Sequence, residues 1–102
     1  MESGGVPVWF AELGDEDREF VRRFVLASGS LKELAEGYGV SYPTIRVRLD
    51  RLIAKVKAAE DARGADPLER RVRVLVAEGV IDAGVGRQLL AAHRASPIRG
   101  GG

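Results

Sequence analysis

The stretch from Ser41 to Val56 leaves little freedom for the fold. Ser41 is an N-cap residue whose hydroxyl can accept a free backbone N–H, and Pro43 follows in the first turn, where its missing N–H costs nothing. Ile45, Leu49, Leu52, Ile53 and Val56 then recur at i, i+4, i+7, i+8 and i+11. That is one apolar stripe of an α-helix, running toward Ala62 before Gly64 breaks it. At 1.5 Å per residue such a helix is about 30 Å long. Just upstream, Gly37 and Gly39 force a stop, because glycine turns through positive φ without penalty. Ser30 with Glu33 fits a capping box, and Leu31, Leu34 and Ala35 face inward. Ala35, Gly39, Ile45 and Leu49 therefore hold the spacing of a helix-turn-helix: a small residue where the helices touch, a glycine in the turn, branched residues beneath the second helix. An αα-hairpin that serves only packing has the same spacing.

The rest of the chain is also punctuated as helices. Asp15, Glu16 and Asp17 crowd the first turn of a helix starting at Gly14 or Asp15, where the macrodipole favours negative charge. Phe20, Val21, Phe24 and Val25 make its stripe, with Leu13, Trp9 and Phe10 available to cover it, and Gly29 ends it. Asp66-Pro67 opens a fourth helix with Leu68, Val72, Leu75 and Val76 on one face, closed by Gly79. Asp82 caps a short fifth helix carrying Val85, Leu89 and Leu90. No alternating strand pattern and no hairpin signal occurs, so the expectation is all-α: five helices, a helix-turn-helix three-helix unit followed by a C-terminal helical hairpin. The expected boundaries are a flexible tail at 1–8, the helix-turn-helix domain at 9–63, the hairpin at 64–95 and a flexible tail at 96–102.

Several function classes are excluded by what the chain lacks. Its 102 residues contain no cysteine and one histidine, His93. Disulfide frameworks, thiolate nucleophiles and zinc or iron–sulfur sites need more, so neither metal nor cofactor is expected. Tyr38, Tyr42 and His93 are the only aromatic acid–base candidates, no carboxylate pair sits where a cleft is expected, and Gly84-Val85-Gly86 follows no strand; the chain reads as no enzyme. His93 reads as a solvated or helix-capping residue. No apolar run approaches the length of a membrane span, and Met1–Phe10 lacks the basic-then-apolar pattern of a leader. A cytoplasmic location is expected, and so small a core implies no small-molecule ligand.

Charge is distributed unevenly. Residues 1–41 carry a net −4, residues 42–57 a net +4 and residues 58–102 a net +1, within a chain whose total is +1. With the stripe of the third helix buried, Tyr42, Thr44, Arg46, Val47, Arg48 and Arg51 point away from it or to its flanks. Arginine can pair bidentately with guanine, Thr44 can reach a phosphate or a base, and Val47 can touch a thymine methyl. Ser41, Tyr42 and the free N–H groups at the helix start suit a backbone phosphate, and Lys55 and Lys57, further along, suit phosphates rather than bases. Arg46 and Arg48 are the expected base readers, with Ser41, Tyr42, Thr44, Val47, Arg51 and Lys55 completing the interface. The bland alternative is a solvated helix face, with Arg51 pairing in the neighbourhood of Asp50 or with the acidic first helix. Surface pairs of that kind are worth only ~0–1 kcal/mol.

Residues 29–53, with Gly39-Val-Ser-Tyr-Pro-Thr-Ile-Arg46 followed by Leu49-Asp50, resemble the helix-turn-helix of an uncharacterised prokaryotic family with a Gly-Val-Ser-Tyr-Pro-Thr-Val/Ile-Arg signature. The likeness covers roughly residues 10–57 and extends more distantly to sigma-factor region four and LuxR-type helix-turn-helix units. It implies DNA binding. Many members of that family begin with a four-cysteine zinc ribbon, a module this cysteine-free chain lacks. Ala77-Glu-Gly-Val-Ile-Asp82, with Leu89-Leu90, resembles short bacterial C-terminal hairpins associated with oligomerisation.

Together these readings lead to a transcriptional regulator that binds double-stranded DNA, working as a homodimer through residues 66–93. Helix-turn-helix proteins usually need two copies to read half-sites ~34 Å apart. The alternative is a protein–protein interaction module that docks on the transcription machinery without reading DNA, suggested by the modest net charge. The hairpin packing on its own helix-turn-helix is the alternative to dimerisation.

Overall fold

The computed structural model describes residues 5–95. Among these residues the fold is all-α: α1 (Val8–Ala11), α2 (Asp15–Leu26), α3 (Leu31–Tyr38), α4 (Tyr42–Asp61), α5 (Pro67–Glu78) and α6 (Ala83–Ala95). The tail expected at 96–102 and residues 1–4 lie outside the described residues. Six helices stand where the sequence suggests five. The additional one, α1, begins at Val8, where a loose tail is expected. Its single turn is closed by N–H groups of Phe10 and Ala11 bonding to the Pro7 carbonyl, and it turns Trp9 and Phe10 onto the core.

The helix ends follow local chemistry. The side chains of Ser30, Ser41 and Asp66 accept the backbone N–H groups of Glu33, Thr44 and Glu69 respectively. Gly39 and Gly79 close α3 and α5 in the left-handed region, at φ 70° and 86°. A residue bearing Cβ is disfavoured there by about 1–2 kcal/mol.

One core gathers Leu13, Phe20, Leu34, Ala35, Ile45 and Leu52, with Trp9, Phe10, Tyr38 and Leu49 packed against it. Phe20, only 1% exposed, is the largest side chain in it. The second half of α4 runs on beyond this core, where Ala59 and Ala62 are buried, and α5 lies along it with Val72 and Val74 buried. At the other end of α5, Glu12 is shared by Arg70 and Arg71 at 3.1 and 2.8 Å. Thus α5 packs on α4 of its own chain, and α6 packs on α5. Their contact is close because Gly86 brings no side chain: a Cβ there would lie 2.7 Å from Val76 Cγ2.

Several apolar residues expected to face inward do not. Val25 is 66% exposed, and Ile53, Leu68, Val85 and Leu89 also face solvent. The molecule measures 51 × 36 × 18 Å, and 18 Å is under two helix diameters. A slab so thin covers one narrow face of each helix. Ile53 is one position, about 100° of helix, beyond Leu52, and Val25 stands in the same relation to Phe24, so each falls off the covered arc. The unexpected burial of Val74 has the converse cause, since α5 is packed by α4 and by α6.

Candidate nucleic-acid interface

The turn between α3 and α4 has the helix-turn-helix form expected of it. Ala35 is buried beneath the turn, Gly39 adopts its left-handed conformation and Ile45, 2% exposed, anchors α4 below. The first turns of α4 consequently present their outer side to solvent. Ser41, Tyr42, Thr44, Arg46, Val47 and Arg51 are all exposed. Ser41 Oγ caps the helix and lies 2.9 Å from Thr44 Oγ1, so the two hydroxyls form a joined polar edge at the N-terminus. Arg46 reaches Asp50 at 3.3 Å. Both partners are about half exposed, and surface pairs of this kind are worth ~0–1 kcal/mol. Such a pair can open toward a stronger anion.

Two residues expected in the interface are engaged by contacts within the fold. The Arg48 guanidinium lies 4.9 Å from the Phe20 ring centre and 5.3 Å from that of Tyr38. Those two rings are themselves stacked, with centroids 6.0 Å apart. A cation over an aromatic face is attracted by its quadrupole, and Nη2 also donates to the Glu16 carbonyl at 3.4 Å. Arg48 therefore staples α4 to α2 rather than standing beside Arg46 on the outer face. Lys55 is withdrawn further. Its side chain is 10% exposed, with Nζ 2.6 Å from Asp17 Oδ2 and 3.0 Å from Glu78 Oε2. Burial pushes this ammonium down, but its hydrogen bonds and attraction to Asp17 and Glu78 outweigh that and hold it above its ordinary value. A cation raised in this way contributes stability that is complete below its unfolded value and lost as pH rises through the folded one. The triad is thus intact at neutral pH.

An open groove of about 590 Å³ runs beside the outer face of α4, touching Thr44, Val47 and Arg51. Its other walls are acidic, with Glu16 and Asp17 from α2 and Glu78 from α5 facing Arg48, Arg51 and Lys55. Sequence reasoning missed Asp17 and Glu78 as partners of Lys55, and Phe20 and Tyr38 as the platform for Arg48. Asp17 reads as a residue of an acidic helix start, and Glu78 as the end of an amphipathic helix. Neither spacing signals a contact between α2, α4 and α5. His93 lies in the last turn of α6, and its Nε2 is also 3.0 Å from Asp66 Oδ2 at the start of α5. Among the described residues, no group of three His, Cys, Asp or Glu side chains converges for a metal ion. No helix among them is long and apolar enough to cross a membrane.

The fold and this face define a helix-turn-helix protein. The family described as Domain of unknown function (DUF2089)-HTH matches residues 13–59. That span runs from Leu13 ahead of α2 nearly to the end of α4, and it stops before α5 and α6. No curated protein and no solved structure matches the chain.

Proposed function

We propose that this protein is a non-enzymatic, cytoplasmic transcriptional regulator that lays the first turns of α4 in the major groove of double-stranded DNA. The observation that carries the reading is a helix-turn-helix whose second helix leaves Tyr42, Thr44, Arg46, Val47 and Arg51 exposed over its first three turns. Arg46 and Arg51 supply bidentate donors for guanine or phosphate, and Val47 supplies an apolar contact. Ser41, Tyr42 and Thr44, at the positive end of the helix dipole, suit the DNA backbone. The resemblance of residues 29–53 to sigma-factor region four and LuxR-type units supports the same docking. Arg48 contributes by fixing α4 against α2, and Lys55 is held in reserve.

Fluorescence anisotropy on a labelled random-sequence duplex across a salt series tests this. Binding should fall steeply with log salt. R46A/R51A should bind more weakly, with a slope shallower by about 1 for each phosphate that is no longer neutralised. The acids beside α4 favour one other reading, a protein-interaction module, because they weaken the attraction for phosphates. Absence of DNA binding at ~50 mM salt, where phosphate contacts are at their strongest, would select that reading.

We further propose that two copies pair through residues 66–93. Val80, Val85 and Leu89 are exposed on the hairpin, and a dimer would present two α4 helices to two half-sites. Light scattering at tens of micromolar checks this: V85K/L89K should be monomeric and the unaltered chain dimeric. A monomeric mass for the unaltered chain refutes the pairing.

A further inference from the structure

We propose that Glu78 regulates the DNA-facing groove by holding Lys55 away from phosphates, so that the C-terminal hairpin sets the affinity of the helix-turn-helix for DNA. The inference rests on the DNA-binding reading above. Lys55 is the one cation of the groove that is both buried and shared by two carboxylates, Asp17 at 2.6 Å and Glu78 at 3.0 Å. One ammonium between two carboxylates leaves a local net charge of −1 where a DNA backbone must approach. With Glu16 on the same wall, the three acids of the groove offset its three bases. The basic character of residues 42–57 is therefore largely cancelled within the folded chain, by residues far from it in sequence.

The two holds on Lys55 are unequal. Asp17 lies in the first turn of α2, where the helix dipole stabilises a negative charge. Glu78 is the last residue of α5, where the same dipole opposes a negative charge. Its contact with Lys55 is also the longer of the two. Glu78 is therefore the releasable partner. The seat of α5 does not depend on it, because Val72 and Val74 remain buried and Glu12 still grips Arg70 and Arg71 at the other end of the helix. A small displacement of the end of α5, next to the Gly79 turn, is enough to separate Glu78 from Lys55 and offer the ammonium to a phosphate. The hairpin thereby has a means of adjusting binding without touching DNA.

The test is a salt series on the full chain with a random-sequence duplex. It compares the unaltered protein with E78Q, with E78Q/K55Q and with E60Q, which makes the same charge change at the far end of α4, where Glu60 pairs with Arg63. E78Q keeps the Asp17 contact, so the buried ammonium stays partnered and the fold is retained. E78Q should bind severalfold more tightly at ~100 mM salt, because the groove loses one repelling charge. Its slope of log affinity against log salt should be steeper by at most about 0.9, one phosphate's worth, since Asp17 still shares the ammonium. The gain should vanish in E78Q/K55Q and be absent in E60Q. Equal binding by E78Q and the unaltered protein, or an equal gain in E60Q, overturns the inference and leaves the DNA-binding reading standing. If none of the four proteins binds DNA, both fall.

Discussion

Replacing Gly86 by alanine probes the closest approach between α5 and α6, and two opposed effects decide its sign. A Cβ at this position would lie 2.7 Å from Val76 Cγ2 and 3.5 Å from Val72 Cγ1. Carbon atoms pack best at about 3.5–4.0 Å, so the Val76 methyl must yield by roughly 1 Å. It has little room to do so, because a β-branched side chain on a helix strongly prefers one χ1 rotamer. Overpacking of this size costs about 1–3 kcal/mol. Against it stands the helix propensity of alanine over glycine, a gain of about 1 kcal/mol. The net expectation is a loss of about 0–2 kcal/mol, taking the two ranges together. Gly37 in α3 isolates the favourable part, since a Cβ there meets nothing within 4 Å; G37A should stabilise by up to about 1 kcal/mol. Adding V76A to G86A removes the obstructing methyl, and the double variant should be more stable than the sum of the single changes by about 1 kcal/mol. Urea unfolding followed by helical circular dichroism reads all four, with about 1–3 kcal/mol per molar urea to convert midpoints. If G86A is stabilised as much as G37A, α5 and α6 do not approach as described.

Three other perturbations follow from single residues. Ser28 sits at φ 54° just past α2, a conformation asparagine tolerates better. S28N should therefore raise stability by about 0.5–1 kcal/mol, seen as a higher melting temperature; no rise would place the strain elsewhere. Arg48 covers both Phe20 and Tyr38, so R48A should cost about 1 kcal/mol while leaving the DNA salt slope closer to normal than R51A does. Unchanged stability with a collapsed slope would return Arg48 to the outer face. Asp66 is held below its ordinary 3.8 first by the backbone N–H of Glu69 and then by the His93 hydrogen bond. A depressed carboxylate contributes stability that is present above its unfolded value and lost as pH falls through the folded one. D66N keeps an N-cap, so its urea midpoint should drop less than that of the unaltered chain when pH is lowered below about 4. Equal drops would show that Asp66 contributes nothing to acid sensitivity.

What could be read from the sequence divides along physical lines. Helix ends were legible because capping is local: Ser30, Ser41, Asp66, Gly39 and Gly79 act on backbone groups within a few residues, and each stands where its chemistry predicts. The helix-turn-helix was legible for the same reason, as its small residue, its glycine and its branched anchor lie within eleven positions, Ala35 to Ile45. Burial was less legible, since periodicity finds the centre of an apolar face but not its width. Width depends on how many neighbours a helix has, which is why Ile53 and Leu68 came out exposed while Val74 is buried. The single turn of α1 is too short for any period to show. At the candidate interface, the exposed group from Ser41 to Val47 was legible from the turn geometry. The capture of Lys55 and Arg48 was not, because it joins residues from α2, α3, α4 and α5.

The two halves of α4 explain why its basic residues divide as they do. Up to about Arg51, the helix has neighbours on one side only, and its outward arginines stay in water. Beyond Leu52 it is covered by α5 as well, so a cation at position 55 must either be absent or carry its counter-charges with it. Removing a buried charge from water costs several kcal/mol unless hydrogen-bonded partners offset it, and Asp17 and Glu78 provide those partners. Lys57, two positions on, remains exposed because it points to the uncovered side. The matched family span ends at residue 59, before the helices that complete this cover. Residues 13–59 thus contain Asp17 but not Glu78, and a chain ending there would leave Lys55 singly partnered and closer to solvent. The α5–α6 hairpin accordingly changes the charge available on a face to which it adds no cation of its own.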